Sequence, residues 1–255
     1  MKKMKKRPNI IVLSIVAVTV LLAVGVGLYF GLPLVGPLLK MHPTETGPIP
    51  DSDPARPVTA LRCNRGTMYF VDTSEGYIMI DAGSSAKKVK ASMEELGIDP
   101  AQVKWILLTH SDYDHVAALP LFPDADIYMG KGELRLLDGA VKRNRSGGNT
   151  LPDGVDLAAI QLVSDGDLLL FGGVTYVHCI AVPGHTPGSM AYTVDDTCIF
   201  TGDALTSDPG KIHPFTMDEK EAKLSLIRLE PYASFTAYTS HYGILPKTEE
   251  PPAEE

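Results

Sequence analysis

Four potential metal ligands fall within six consecutive residues of this chain, directly after an apolar run at residues 105–109. The six residues are His110, Ser111, Asp112, Tyr113, Asp114 and His115. A strand that ends in such a cluster places two imidazoles and two carboxylates at the mouth of a sheet, where a rigid backbone can hold them around one or two cations. The alternative interpretation is a polar strand-to-helix turn, in which Ser111 or Asp112 caps the next helix.

Three further residues of the ligand type stand where other apolar runs stop. His185 lies in a loop rich in glycine and proline, residues 182–189. Asp203 and His241 each close an apolar run later in the chain. Each candidate ligand therefore lies where a strand is predicted to stop.

Taken in order, these residues resemble the signature of the metallo-β-lactamase superfamily, His-x-His-x-Asp-His followed by a loop histidine, a bridging aspartate and a final histidine. The match covers residues 58–246. The resemblance implies a four-layer αββα sandwich with two mixed sheets and outer helices, whereas periodicity alone supports only a mixed α/β or α+β domain. It also implies two metal sites, one held by His110, Asp112 and His185, the other by Asp114, His115 and His241, with Asp203 bridging them.

Asp112 departs from that signature, which has histidine at this position. Imidazole suits zinc, whereas a carboxylate is harder, adds a negative charge and moves the preference towards iron or manganese. We expect two divalent metal ions, with Zn²⁺ as the first expectation and Fe or Mn left open by Asp112. A further alternative is that Asp112 does not bind tightly, so that the first site is weak or empty.

The reaction expected of two cations that share a bridging oxygen is hydrolysis. A bound metal lowers the pKa of water from about 16 towards 7, and a second metal stabilises the developing oxyanion. Asp114 is the expected catalytic residue, placed to orient the hydroxide or to pass a proton to the leaving group. The cleaved bond stays open among ester, lactone, thioester, β-lactam and phosphoester. The alternative function is a non-catalytic metal-binding or sensor module that keeps the fold.

Several other residues could contribute to the cleft. Residues 138–156 could form a lid over it, and His213 lies in a loop that could line it. Three tyrosines could donate a hydrogen bond to substrate or simply pack at a strand end: Tyr113, Tyr192 and Tyr242. Three basic residues could contact an anionic substrate or stand in solvent: Lys142, Arg143 and Arg145. Buried free thiols are predicted at Cys63, Cys179 and Cys198.

The start of the chain predicts a membrane location. Residues 1–9 carry a basic cluster, and residues 10–32 follow without a charge. A helix of this length, at about 1.5 Å per residue, crosses a hydrocarbon core of about 30 Å. The positive-inside rule then gives a single-pass protein of the cell membrane with its enzyme domain outside the cytoplasm. A cleaved signal peptide and a secreted enzyme are the alternative.

The remaining organisation is a Pro-rich linker at 33–57, one domain at 58–246 and an acidic, disordered tail at 247–255. Without the five basic residues near the start, 18 of the 23 Lys and Arg remain against 31 Asp and Glu, a net charge of −13. Nucleic-acid binding depends largely on phosphate neutralisation. We therefore expect a small-molecule substrate and no nucleic acid as partner.

Apolar periodicity and turn residues place the elements of the domain. The predicted strands are 58–62, 67–72, 76–81 and 104–109, then several between 168 and 200, and a final strand carrying His241. The predicted helices are 87–96, which Gly97 should end, a short one beginning within 116–121, and 217–229.

Overall fold

The computed structural model describes residues 40–143 and 149–247. The predicted basic segment, the predicted transmembrane helix and all but the first residue of the predicted tail lie outside the described residues. Within the described part of the chain, no helix has the length and apolar character that crossing a bilayer requires. The chain divides into units of residues 1–41 and 42–255, and every element named below belongs to the second.

The first sheet has seven strands that lie side by side in chain order. They are β1 (Gly47–Pro48), β2 (Val58–Cys63), β3 (Gly66–Thr73), β4 (Gly76–Ile80), β5 (Val103–Leu108), β6 (Asp126–Gly130) and β7 (Gln161–Val163). The strands β1 to β4 pair antiparallel; two-residue turns join β2 to β3 and β3 to β4, whereas residues 49–57 connect β1 to β2. The pairs from β4 to β7 are parallel, because longer segments with helical turns return the chain to the same end of the sheet.

The second sheet has six strands, in the order β13, β12, β11, β10, β9, β8. They are β8 (Leu168–Phe171), β9 (Thr175–Ala181), β10 (Met190–Val194), β11 (Cys198–Gly202), β12 (Thr236–Thr239) and β13 (Ile244–Leu245). Only β11 and β12 pair parallel. Every residue of β10 and β11 is buried, which fits central strands covered on both faces.

Two longer helices and two single-turn helices complete the domain. They are α1 (Ala86–Leu96), α2 (Tyr113–Val116), α3 (Leu134–Leu137) and α4 (Glu219–Leu229). Helix α1 begins after Ser85, whose hydroxyl accepts from the Lys88 backbone N–H, and ends at Gly97 with φ of 71°. Helix α4 begins after Asp218, whose carboxylate accepts from two backbone N–H groups of the first turn.

Three buried clusters show how these elements are layered. The central one lies between the sheets and includes Tyr69 and Val71 of the first and Tyr192 of the second. A second cluster packs α1, through Val89 and other residues, on the outer face of the first sheet. A third includes Leu229 of α4 on the outer face of the second sheet. The order helix, sheet, sheet, helix is the predicted αββα sandwich.

Two segments differ from the sequence-based expectation. Residues 42–57, predicted as part of a linker, lie on the domain: β1 pairs with β2, and the His42 backbone N–H donates to the carbonyl of His241 at 2.8 Å. The strand β1 was not predicted because it is only two residues long and lies in a proline-rich segment. A single-turn helix begins at Tyr113, inside the metal cluster, and the helical segment within the predicted 116–121 is a short 3-10 helix at Leu119–Leu121. Asp112 stands at its N-cap position, but its side chain makes no capping bond, so the capping interpretation is wrong for Asp112.

Candidate metal centre

Four loops meet at one edge of the sandwich and carry the candidate ligands. The cluster at 110–115 follows β5, His185 lies between β9 and β10, Asp203 follows β11 and His241 follows β12. Gly202, the residue before Asp203, allows the end of β11 to lie close to Thr109 at the end of β5. Its φ is 53°, and a Cβ there would lie 2.5 Å from the Thr109 hydroxyl oxygen. Glycine therefore lets β11 deliver Asp203 close beside the end of β5.

His110, Asp112 and His185 form a first trio of buried side chains, each able to offer a ligand atom. The Asp112 Oδ2 atom lies 3.5 Å from His110 Nε2 and 3.3 Å from His185 Nε2. Asp114, His115 and His241 form a second trio. In that trio the Asp114 carboxylate lies 3.4 Å from His241 Nε2 and 3.9 Å from His115 Nε2. Separations of this size allow each trio to contact one cation.

Asp203 lies between the two trios. Its Oδ2 atom is 3.2 Å from His185 Nε2, and its Oδ1 atom is 3.4 Å from His241 Nε2 and 3.7 Å from His115 Nε2. One carboxylate oxygen thus faces each trio, which is the position that a bridging ligand needs. Burial alone would raise the pKa of Asp203, but the surrounding histidines, His241 first, hold it well below its usual range. All seven predicted ligands therefore lie together in one cluster, in which every member except Asp114 is buried.

Several buried polar atoms in the described part of the chain point into this cluster without a hydrogen-bond partner. They include His110 Nε2, His115 Nε2, Asp203 Oδ1 and His213 Nε2. A buried polar atom without a partner costs about 1–3 kcal/mol, so native proteins seldom keep several of them together. Cations would satisfy these atoms at once. The imidazole and carboxylate donors are also those that zinc, iron and manganese accept. The residues present fit a metal centre.

Two contacts aim ligand histidines into the centre. The Asp81 carboxylate lies 2.8 Å from His115 Nδ1 and accepts from the Thr109 backbone N–H, also at 2.8 Å. His241 Nδ1 lies 2.7 Å from the carbonyl of Arg65. In both rings the Nε2 atom is left to face the other ligands, and such outer contacts fix both the ring orientation and the tautomer. Asp81 has φ of 60°, a strained conformation that its hydrogen bonds hold in place.

The pKa values of His110 and His115 are shifted in opposite directions by their surroundings. Burial and the neighbouring His115 lower the pKa of His110 to about 4. Burial acts in the same direction on His115, but the charges of Asp81, Asp114 and Asp203 outweigh it and raise the pKa of His115 to about 9. The carboxylates around His115 therefore stabilise positive charge at the second trio, and a bound cation would supply that charge.

His213 also belongs to this cluster. From the sequence it was expected only as a residue that could line the cleft. Its side chain is buried, its Nε2 atom lies 3.6 Å from Asp203 Oδ2, and its ring centroid is 4.7 Å from that of His185. His185, Asp203 and His213 form another group that could hold a metal. His213 is thus an eighth candidate ligand, supplied by the loop before α4.

Arg143 and Asn149 contact Asp112, which sequence reasoning did not foresee. The guanidinium of Arg143 forms an ion pair with Asp112 Oδ2, and its side chain is only 14% exposed. The side-chain amide of Asn149 donates to Asp112 Oδ1 at 2.9 Å. The expectation of a solvated basic loop is therefore wrong for Arg143; Lys142 is exposed, and Arg145 lies outside the described residues.

Glu133 connects two of the ligand-bearing loops. Its carboxylate is fully buried and accepts from the Ser111 backbone N–H at 2.7 Å, from the Ser111 hydroxyl, and from the Gly188 backbone N–H at 2.9 Å. Ser111 stands between two ligands of the first trio, and Gly188 lies three residues after the third. Glu133 therefore sets the distance between the metal cluster and the His185 loop.

The three tyrosines differ in their access to this site. Tyr192 packs inside the domain, the second of its two predicted alternatives: its side chain is fully buried, and its hydroxyl donates to the carbonyl of Leu108 at 2.8 Å. Tyr242 is largely buried, and its ring lies 5.8 Å from that of His213. Tyr113 is 69% exposed and stands within the metal cluster. Of the three, Tyr113 is the one open to a molecule arriving from solvent.

The fold and the site can be compared with known proteins. The profile of the metallo-beta-lactamase superfamily matches residues 61–241. The probable metallo-hydrolase YqgX of Bacillus subtilis is 30% identical over 155 residues, 58% of this chain and 69% of that protein. The probable polyketide biosynthesis zinc-dependent hydrolase PksB of the same organism is 30% identical over 139 residues, and the match spans 53% of this chain but only 52% of PksB. The solved structure of a metallo-beta-lactamase from Cronobacter sakazakii has a TM-score of 0.57 at 22% identity, over 72% of this chain and 74% of that one.

An αββα sandwich that gathers histidines and carboxylates at the ends of its strands defines a class of proteins with a metal centre at that edge. The chain belongs to the metallo-beta-lactamase superfamily, as its motifs predicted, and the predicted class of enzyme, a hydrolase of that fold, is confirmed.

Proposed function

We propose that the chain hydrolyses a small molecule at an ester, lactone, thioester, β-lactam or phosphoester bond, using two divalent metal ions. The observation that carries this proposal is the arrangement around Asp203, where each carboxylate oxygen faces one trio of ligands. The first metal is assigned to His110, Asp112 and His185, and the second to Asp114, His115 and His241. Zn²⁺ is the metal we expect, because four of the seven ligands are imidazoles, which suit zinc; Fe and Mn are the alternatives that Asp112 leaves open.

Bound divalent metals supply hydroxide near neutral pH, because they lower the pKa of water. Asp114 is the ligand closest to solvent, with 43% of its side chain exposed. Burial acts to raise the pKa of Asp114, but His115 and His241 hold it far below its usual value. A carboxylate that stays ionised can accept a hydrogen bond and orient the attacking nucleophile. It is poorly suited to donate a proton to the leaving group in the free enzyme.

The proposal is tested by removing and restoring metal. The purified chain is treated with a chelator, assayed against a panel of lactones, thioesters, β-lactams and phosphodiesters, and assayed again after Zn²⁺, Mn²⁺ or Fe²⁺ is added. We expect hydrolysis of one substrate class that disappears with the metal and returns with it. The variant Asp114→Asn should lower kcat by about 10²–10⁴-fold, whereas Asp124→Asn, the same change at an exposed site, should leave it unchanged.

A chain that binds metal tightly but cleaves no member of the panel would support the other function that the sequence left open, a non-catalytic metal-binding or sensor module. A chain that binds no metal would contradict both functions.

We propose in addition that residues 10–32 anchor the protein in the cell membrane with the enzyme domain outside the cytoplasm. The support is the uncharged run that follows a basic cluster in the sequence. After cell fractionation, the full chain should be found with the membranes, and a variant that begins at residue 40 should not. Recovery of the full chain from the medium, shortened at its N-terminus, would favour the cleaved signal peptide instead. The acidic remainder of the chain supports a small-molecule substrate rather than nucleic acid.

A further inference from the structure

Arg143 places its guanidinium inside the first trio of ligands. One terminal nitrogen pairs with Asp112 Oδ2. The other lies 3.1 Å from His185 Nε2 and donates to the carbonyls of His185 at 3.1 Å and Phe215 at 3.0 Å. A guanidinium offers donors in a fixed planar fork, and here it uses them on two different loops at once. The contacts are therefore specific and numerous enough to hold the side chain in one place.

These contacts use the same atoms that a first metal would need. Asp112 Oδ2 and His185 Nε2 are the atoms that, with His110 Nε2, face one another across the first trio. Asn149 also engages Asp112 Oδ1. Both oxygens of Asp112 thus have partners within the chain, and its buried negative charge is balanced by an arginine. A carboxylate so paired does not require a metal, and releasing it from the pair costs free energy.

The second trio offers a contrast. There His115 Nε2 and the nearby Asp203 Oδ1 are buried without a hydrogen-bond partner in the described residues, and Asp114 lies against His115 and His241. In the first trio only His110 Nε2 is left in that state among the three atoms that face one another. The two sites are therefore unequal, although in each trio the carboxylate lies within 4 Å of both imidazole nitrogens.

We infer that Arg143 and the first metal ion compete for Asp112 and His185, so that the second site fills first and the first site fills only when the metal displaces the guanidinium. This inference rests on the proposed assignment of two metal sites. It gives the replacement of histidine by Asp112 a physical role: an imidazole could not form this ion pair, whereas a carboxylate binds either a metal or an arginine. The free metal concentration then decides whether the chain carries one cation or two.

Zinc binding alone tests the competition, with no reference to catalysis. The full chain, freed of metal, is titrated with Zn²⁺ in competition with a chromophoric chelator, and bound zinc is counted by elemental analysis. For the natural chain we expect one tight equivalent and a second at least about tenfold weaker. In Arg143→Gln the second equivalent should bind at least about tenfold tighter than in the natural chain, because the guanidinium no longer holds Asp112. Lys142→Gln, which removes the same charge from the neighbouring exposed residue, should match the natural chain.

Arg143→Lys provides the second variant, in case Arg143→Gln fails to fold. Lysine keeps the positive charge but cannot reach several partners from one planar fork. We expect its second zinc constant to lie between those of the natural chain and Arg143→Gln. If neither variant that folds tightens the second equivalent, or if the natural chain binds both equivalents equally tightly, the inference is overturned. The proposed hydrolase activity would survive that result. Conversely, tighter zinc binding in the variants, together with no hydrolysis of any substrate by the natural chain loaded with metal, would refute the proposed function and leave the competition standing.

Discussion

Replacing Glu133 should destabilise the fold, because this fully buried carboxylate connects two of the loops that carry ligands. Its contacts with the Ser111 and Gly188 backbone N–H groups, at 2.7 and 2.9 Å, are hydrogen bonds to a buried acceptor. Each is worth about 1.5–3 kcal/mol when the acceptor is charged. We therefore expect Glu133→Ala to lower the free energy of unfolding by about 3–6 kcal/mol, a large part of the roughly 5–15 kcal/mol of a typical domain.

Urea unfolding of the metal-free chain measures this loss, with Glu95→Ala on the exposed surface of α1 as the matched control. Glu133→Gln should lose about half as much, because one amide oxygen can still accept a bond while the amide nitrogen cannot. The same variants should bind zinc more weakly, since the distance between the cluster and the His185 loop is no longer fixed. A loss in Glu133→Ala below about 1 kcal/mol would show that the two loops keep their positions without the carboxylate.

Three further outcomes are expected. Asp112→His should raise zinc affinity and lower the preference for iron or manganese, as measured by competitive metal loading; unchanged selectivity would show that Asp112 is not a ligand. Asp203→Ala should weaken both metal sites at once, as elemental analysis would show, because each carboxylate oxygen faces one of them; loss of a single metal would argue against bridging. Burial raises the pKa of Cys179 and of Cys198 to about 12, so thiol reagents at pH 8 should modify them only after unfolding. Rapid labelling of the native chain would contradict the burial of these thiols. Because the thiols ionise near pH 8.5 in the unfolded chain but not in the folded one, the melting temperature should also fall between pH 8 and 10.

Much of the fold could be predicted from local patterns. The strands β2 to β5 and the helices α1 and α4 were placed to within two residues, because apolar periodicity and a helix stop such as Gly97 act over a few positions. The strands β6 and β7 were missed, as was the pairing of β1. These short strands depend on neighbours far away in the chain, and their own residues carry little periodic signal.

The candidate ligands could be predicted together because each stands where a strand was predicted to stop and because their order resembles the signature of the metallo-β-lactamase superfamily. The residues that hold them in place could not. Glu133 is 22 positions from Ser111, and Arg143 is 31 from Asp112, so no spacing rule connects them. A buried glutamate and a buried arginine look like ordinary surface residues in a sequence. For Tyr192 the sequence left substrate contact and packing at a strand end open, since periodicity does not tell which side of a fully buried strand faces the cleft, and the structure shows packing.

The ligands are divided between the two halves of the chain. The cluster at 110–115 extends from the first sheet, whereas His185, Asp203 and His241 extend from the second. A cation held by both sets would act as a reversible cross-link between them, closing chain loops of 70 residues or more. Because the metal would bind the folded chain and be released on unfolding, such a link would stabilise the folded state by an amount that grows with the logarithm of the free metal concentration divided by its dissociation constant. Metal supply would then control how long the protein persists as well as how fast it works.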